Sequence, residues 1–386
     1  MLGTYPPLTS DVRCDVAVIG GGISGALAAW ELTRRGFHCV LLDKRDFGQG
    51  STCASTCLVL YETDTHLKDL MVKRSPELAV QAWRSCRQAV IGLGHLIHQL
   101  KWEEECDFRH KQSLYIASTT SDVKDLREEW ETRRSAGFKV NWLERADLEE
   151  MYSLKGAAAI LSSEAAEVDA YALSHALIRD AVAKGMQAFD RTKADRIEPS
   201  ARSVRIKTDR NAVIHAQWVV FAAGYESQQY LKQTVAQTRT TFALASEPLL
   251  NGLSVASMPH VWETARPYVY LRSTPDQRII AGGHDQVFRN VEHQQRTLNS
   301  KAKRIIRSVH KLLPHIELEA AYTWSGAFAE THDGLPRIGT VSQWPRCFFA
   351  LGYGGNGITF SYIAAQIVAN CIEEKPDPDA LLYAFD

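Results

Sequence analysis

Close to the start of the chain, Cys14-Asp-Val-Ala-Val-Ile-Gly20 forms a short β-branched run, the pattern of a strand buried on both faces of a parallel sheet. Three glycines interrupt it, and Ile23, Ala26, Leu27 and Trp30 then recur at helical spacing until Gly36 supplies a stop. A second apolar run, Cys39-Val-Leu-Leu-Asp43, completes a strand–helix–strand unit of about 30 residues. Phe47–Thr56, rich in Gly, Ser and Thr, is expected to be a loop.

Further along, Pro76–Leu100 has the periodicity of one long helix or two short ones, with Leu78, Ala82, Val90, Leu93 and Ile97 as buried positions. Ser113–Ser118 alternates as a strand, and Ser121–Ser135 is a charged, solvated helix. Val168–Lys184 is an amphipathic helix, and Lys193–Ile197 with Ser203–Thr208 suggests a hairpin or meander. Trp218–Ala222 is a buried strand ending at Ala223-Gly224. Strands Arg239–Ala245, Tyr268–Arg272 and Arg278–Ala281, helix Leu298–Leu313 and strand Glu319–Ser325 follow. Strand Cys347–Leu351, a glycine loop and helix Ile358–Ile372 close the series. With no internal repeat, low-complexity tract or long linker, a second domain is expected to be inserted into the first rather than appended.

The 386 residues suffice for about two domains, and 44 basic against 45 acidic residues give no electrostatic case for nucleic-acid binding. No apolar run has the length of a membrane span, and Met1–Ser10 lacks the basic start of a secretory signal. The eight cysteines are scattered, and only Cys53 and Cys57 lie close together, without a second pair at zinc-ligand spacing. Reduced thiols, a cytoplasmic setting and no metal are the expectation.

The chemistry concentrates at Gly20-Gly-Gly22-Ile23-Ser24-Gly25, a GxGxxG in the context it requires: strand before, helix after, acidic residue ending the next strand. Gly20 permits the tight turn, Gly22 lets backbone N–H groups approach a pyrophosphate, and Gly25 allows helix and strand to pack closely. The helix N-terminus offers unpaired N–H groups and the positive end of its dipole. Asp43 is placed to accept from a ribose hydroxyl pair and disfavours a 2′-phosphate. Lys44 and the small, hydroxylated stretch Ser51, Thr52, Ala54, Ser55 and Thr56 suit a ligand longer than NAD, with a flavin end reaching into the protein. A second GxGxxG, Gly352-Tyr-Gly354-Gly355-Asn356-Gly357, is followed by Ile358 and a helix but by no partner strand. Its expected use is as another helix N-terminus aimed at the same cofactor, where positive potential stabilises a reduced flavin.

These landmarks, with Val168-Asp169-Ala170, Val219–Gly224, Ala281–Asp285 and His332–Gly339, occur in an order that resembles the D-amino acid oxidase-like superfamily of FAD-dependent oxidoreductases. The resemblance implies an α/β, two-domain fold: a Rossmann-like FAD domain (1–90, 151–230 and 320–386) interrupted by an antiparallel-sheet substrate domain (91–150 and 231–319). It implies oxidation of the C–N bond of an amine or amino acid by hydride transfer to flavin N5, hydrolysis of the imine, and reoxidation by dioxygen or another electron acceptor. It also places Ala223, Gly224 and Arg337 beside the FAD. A dehydrogenase of a hydroxy acid or polyol phosphate, and a non-catalytic FAD-binding protein, are the alternatives.

Three departures from the family pattern bear on substrate and cofactor. Where glycine oxidase-like members clamp a carboxylate with Arg, on the strand before the Asp-Gly-Leu-Pro motif, the resemblance puts Phe328 in this chain. Arg266, Arg272 and Arg337 are candidate replacements, Arg272 foremost, since Tyr268, Tyr270 and Arg272 share one face at period two. The Cys and His that attach flavin covalently in relatives are missing, Ala54 standing in place of the His, so FAD is expected to be non-covalent, with Cys53 and Cys57 the nearest thiols. In Tyr61–His66, Asp64 is expected to cap the helix Leu67–Lys73. Glu62, His332 and Glu330 are left as polar contacts near the flavin.

Overall fold

The computed structural model describes residues 3–249 and 257–385. Two sheets organise the chain. The first runs Arg337–Thr340, Cys347–Leu351, Val213–Phe221, Val12–Ile19, Cys39–Leu42, Gln187–Phe189. Its inner pairs are parallel, Val12–Ile19 lying between Cys39–Leu42 and Val213–Phe221. Strand alternation divides its faces. Val16 and Val18 face a layer of helices built from Ile23–Arg34, Ala170–Ala183 and Gly357–Ile372, whereas Ala17 and Ile19 join a separate core with Ile206, Ile214 and Phe349. Ala194–Pro199 and Val204–Thr208 form the expected meander onto Val213–Phe221.

The second sheet runs Ala320–Glu330, Gln237–Ser246, Ile279–Val287, Val269–Ser273, His260–Glu263, Arg109–Ala117, Ala158–Glu167, Leu58–Val59, with Val140–Glu144 also paired to Ala158–Glu167. It is antiparallel except where His260–Glu263 lies parallel to Arg109–Ala117. Helix Val291–Leu312 covers it through Ala302, Ile305 and Val309.

Leu58–Val59, Ala158–Glu167 and Ala320–Glu330 belong to this second sheet, although the sequence boundaries group their residues with the nucleotide unit. Ala158–Glu167 was not apparent as a strand because its small residues, Ala and Ser, carry little β-branched signal. Pro76–Leu100 is a single helix capped by Ser75. Its buried stripe starts at Ala79 and continues through Ala82, Trp83, Cys86, Val90, Leu93 and Ile97; Leu78, expected inside, is 41% exposed, one residue off the stripe. No helix among the described residues is long and apolar enough to cross a membrane, and no group of residues there could hold a metal.

Candidate active site

The C-terminal ends of four parallel strands, Ile19, Leu42, Phe221 and Leu351, meet on one edge of the first sheet. The following loops line a single cleft enclosing about 2420 Å³ of atom-free space, mouth included. Strand order turns back between Val12–Ile19 and Val213–Phe221, the position where open α/β sheets bind ligands. Two glycine turns shape this edge. Gly20 has φ +110, and a Cβ on Gly25 would lie 1.7 Å from the Gly20 carbonyl oxygen, so the first helix sits directly on the turn. Ile23 N–H donates to Thr52 Oγ1 at 3.0 Å, fastening the serine–threonine loop to the helix start. The second helix, Gly357–Ile372, packs against the first through Ser24 and Ser361, whose hydroxyls are 2.7 Å apart. Asn356, at its N-terminus, donates to the carbonyls of Leu60 and Glu62. Both helix N-termini therefore open on the same cleft.

Asp43 is tied into the turn. Its Oδ2 accepts from Gly21 N–H and its Oδ1 from Arg45 N–H, both at 2.8 Å. Burial raises the carboxyl's pKa, and these two donors partly offset that rise. Lys44 and Arg45 both pair with Glu226, at 2.6 and 3.1 Å, on the loop that begins at Ala223-Gly224.

Of the expected contacts, Gly20, Gly22, Ile23, Ser24, Asp43, Lys44, Ser51, Thr52, Ala54, Ser55, Thr56, Ala223, Gly224, Gly354, Gly355, Asn356, Gly357 and Ile358 all line the cleft, as do Glu62 and Tyr268. Gly25 packs beneath it. Arg337 does not line it: its guanidinium donates to Asp333 and to the Leu335 and Pro336 carbonyls. His332 is exposed on the outer side of that turn, where its carbonyl accepts from Lys73. Arg272 lies one step too far along its strand. It is 9% exposed, donates to Thr56 O at 2.6 Å, and stands 3.5 Å from Glu167 behind the flavin loop, away from the cleft. Cys53 and Cys57 are off the cleft wall, and burial raises both thiols. Arg266 and Glu330 are likewise off the lining; Glu330 is paired with Arg239. Asp64 does not cap Leu67–Lys73. Its Oδ2 accepts from Gly355 N–H at 2.8 Å, while Glu129 takes the N–H groups of Leu67 and Lys68.

The far end of the cleft, against the second sheet, carries Thr241, Trp262, Tyr268, Tyr270, Asp285 and Phe328. Tyr268 donates to Asp285 Oδ2 at 2.7 Å. Tyr270 can lie flat there because Gly282 has no side chain: a Cβ would come within 2.4 Å of its hydroxyl oxygen. Burial raises both phenols, Tyr270 to about 12, so both stay protonated donors near neutral pH. Burial also raises Asp285 and Glu62; Glu62 is 3% exposed, its Oε2 without a hydrogen-bond partner among the described residues. The sequence signal for Asp285 lay in the Gly282-Gly283 pair before it; for Thr241 and Trp262 there was none.

The residues fit FAD. A Cβ at Gly357, on the cleft wall at a helix N-terminus, would meet no protein atom within 4 Å, so open space is left against that N-terminus for a ligand group to approach its N–H donors. Two such termini, a carboxylate at the second strand end and a cleft running on to an aromatic wall define a flavin-nucleotide oxidoreductase. The chain matches the model of the FAD dependent oxidoreductase (DAO) family over residues 15–371, and it belongs to that family, with FAD as cofactor. Glycine oxidase of Geobacillus kaustophilus is 26% identical, the alignment covering 94% of each chain, and gamma-glutamylputrescine oxidoreductase of Escherichia coli is 21% identical over 95% of this chain and 85% of that one. The crystal structure of the Geobacillus glycine oxidase superposes with a TM-score of 0.81 at 21% identity, covering 97% of this chain and 98% of that one. L-proline dehydrogenase from P. horikoshii gives 0.80 at 20%, covering 98% and 97%.

Asp43→Ala is expected to weaken FAD retention by about 1.5–3 kcal/mol, through loss of hydrogen bonds to a charged acceptor. Flavin occupancy after dialysis measures it, and unchanged occupancy would refute the placement of the ribose.

Proposed function

We propose that the protein is an FAD-dependent oxidase of the C–N bond of an amine or amino acid. FAD, which the Gly20–Gly25 turn, Asp43 and the Ser51–Thr56 loop would hold, would supply the hydride acceptor for the C–H bond beside a neutral amine, the nitrogen lone pair closing a C=N bond as the hydride leaves. Water hydrolyses the imine to a carbonyl compound and an amine, and dioxygen is the final acceptor of the two electrons. The supporting observation is the continuity of one cleft from the two glycine turns to the wall of Tyr268, Tyr270 and Asp285. Such chemistry depends mainly on placing the C–H bond, and this wall, not a nucleophile–base pair, does the placing. Tyr268, held by Asp285, and Glu62, buried on the wall, are the polar groups able to orient a substrate nitrogen or take its proton. We extend the reading to the cofactor link: with both nearby thiols off the wall, FAD is held non-covalently. Residues of the first sheet hold the cofactor and those of the second the substrate.

Anaerobic titration of the purified yellow protein with amines, amino acids and hydroxy acids tests the reading. Bleaching by an amine or amino acid, and recolouring in air within seconds, is expected. Bleaching by a hydroxy acid alone, or by nothing in the panel, would overturn it.

A further inference from the structure

The charges at the substrate end are one-sided. Among the described residues, the cations lining the cleft are Lys44, Arg45 and Lys193, all at the nucleotide end and next to Glu226 or Asp195. The substrate end presents Asp285 and Asp64 with no cation among the described lining residues, while Glu62 has its counter-charge, Arg133, on the side away from the cleft. Among the described residues, Asp285 Oδ1 is buried without a hydrogen-bond partner, and so is Oε2 of Glu62, a residue 3% exposed whose other oxygen faces Arg133.

The surrounding cations are committed elsewhere. Arg133 stands 4.0 Å behind Glu62, fully buried and bonded to Glu129. Arg239 pairs with Glu330, and Lys301 donates to the His284 carbonyl. Arg266 sits outside the wall, its guanidinium 5.4 Å over the Tyr268 ring and its Nη1 within hydrogen-bond reach of the Thr264 and Ala265 carbonyls.

A carboxylate entering this end would meet like charges in a medium of low polarity, where such contacts cost most. A cation would give Asp285 Oδ1 its missing partner, and the faces of Tyr268, Tyr270 and Trp262 favour positive charge further.

We infer that the substrate carries a second, positively charged nitrogen beside the one oxidised, held by Asp285 and Asp64 against the tyrosines, and that no carboxylate clamp operates. This rests on the amine-oxidation reading and narrows it to diamine-like molecules over α-amino acids.

Calorimetry on the FAD-loaded protein, using ions that cannot be oxidised there, tests it without turnover. Tetramethylammonium is expected to bind and acetate not to. Asp285→Asn, which keeps the shape and an acceptor for Tyr268, is expected to weaken the cation at least tenfold. Acetate binding in preference to the cation, or an unchanged cation affinity in Asp285→Asn, overturns the inference. A parallel anaerobic reduction separates the two levels. N-methyl-1,4-diaminobutane is expected to bleach the flavin at least tenfold faster than butylamine or sarcosine at equal concentration. Equal or faster bleaching by butylamine or sarcosine overturns the inference and leaves amine oxidation standing, whereas bleaching by hydroxy acids alone removes both.

Discussion

Gly25→Ala is expected to yield protein that elutes without flavin. A methyl group on Gly25 would stand 1.7 Å from the Gly20 carbonyl oxygen, and the obstacle is backbone, unable to swing aside as a side chain would. The helix Ile23–Arg34 must lift from the strand turn, carrying with it Ile23 N–H, which anchors Thr52. Overpacking costs about 1–3 kcal/mol. Levied on the geometry that presents backbone donors to the pyrophosphate, this corresponds to roughly a fivefold to more than a hundredfold loss of FAD affinity. Gly357→Ala provides the contrast. Its new methyl meets no protein atom within 4 Å, and Ala is favoured over Gly in a helix by about 1 kcal/mol. Flavin lost from Gly357→Ala with an unfolding midpoint that is not lowered therefore reports the ligand, whereas Gly25→Ala lowers both. Gly25→Ala protein retaining full flavin after dialysis would contradict the placement of the first turn.

The contrast between these two glycines also shows what a sequence displays. Turn chemistry is local: the glycines and the acidic residue after the second strand are read from one short strand–helix–strand unit, and the second glycine turn, which lacks a following strand, lines the same cleft as the first. The substrate wall is not local. Thr241, Trp262, Tyr268 with Tyr270, Asp285 and Phe328 come from five segments of the second sheet and its connections, joined only by strand pairing. Period two correctly groups Tyr268 with Tyr270, but it carries no information on where the cleft ends, and Arg272 falls beyond it beside Thr56. Likewise, the Asp333–Arg337 turn is recognisable as a motif, yet its inward carboxylate engages Thr331, Arg74 and Arg337 and leaves His332 outside. Asp64 illustrates a competition the sequence cannot settle. A carboxylate near a helix start is a plausible cap, but Glu129, 65 positions away from it, takes that place and frees Asp64 for the cleft.

Arg133→Met is expected to destabilise the protein most. Arg133 is fully buried; its Nε donates to Glu129 Oε1 at 2.8 Å, Glu62 lies at 4.0 Å, and the guanidinium lies over the Trp83 ring at 4.7 Å. Methionine fills much of the volume but leaves two buried carboxylates without a counter-charge, a change worth about 3–5 kcal/mol. The loss depends on pH. Burial already places the Glu62 pKa above its ordinary value despite Arg133, and removing the cation drives it further up. The folded variant then prefers a protonated Glu62, whereas the unfolded chain releases that proton above a pH of about 4.3. Stability contributed by the raised group is present at low pH and lost as pH rises through the folded pKa, so the deficit is expected to be smaller at pH 5 than at pH 8. Adding Glu62→Gln should recover part of the pH 8 deficit by removing the charge that Met strands. Denaturant midpoints at the two pH values measure both effects, and an Arg133→Met deficit that is the same at pH 5 and pH 8 would show that Glu62 does not depend on Arg133 for its charge.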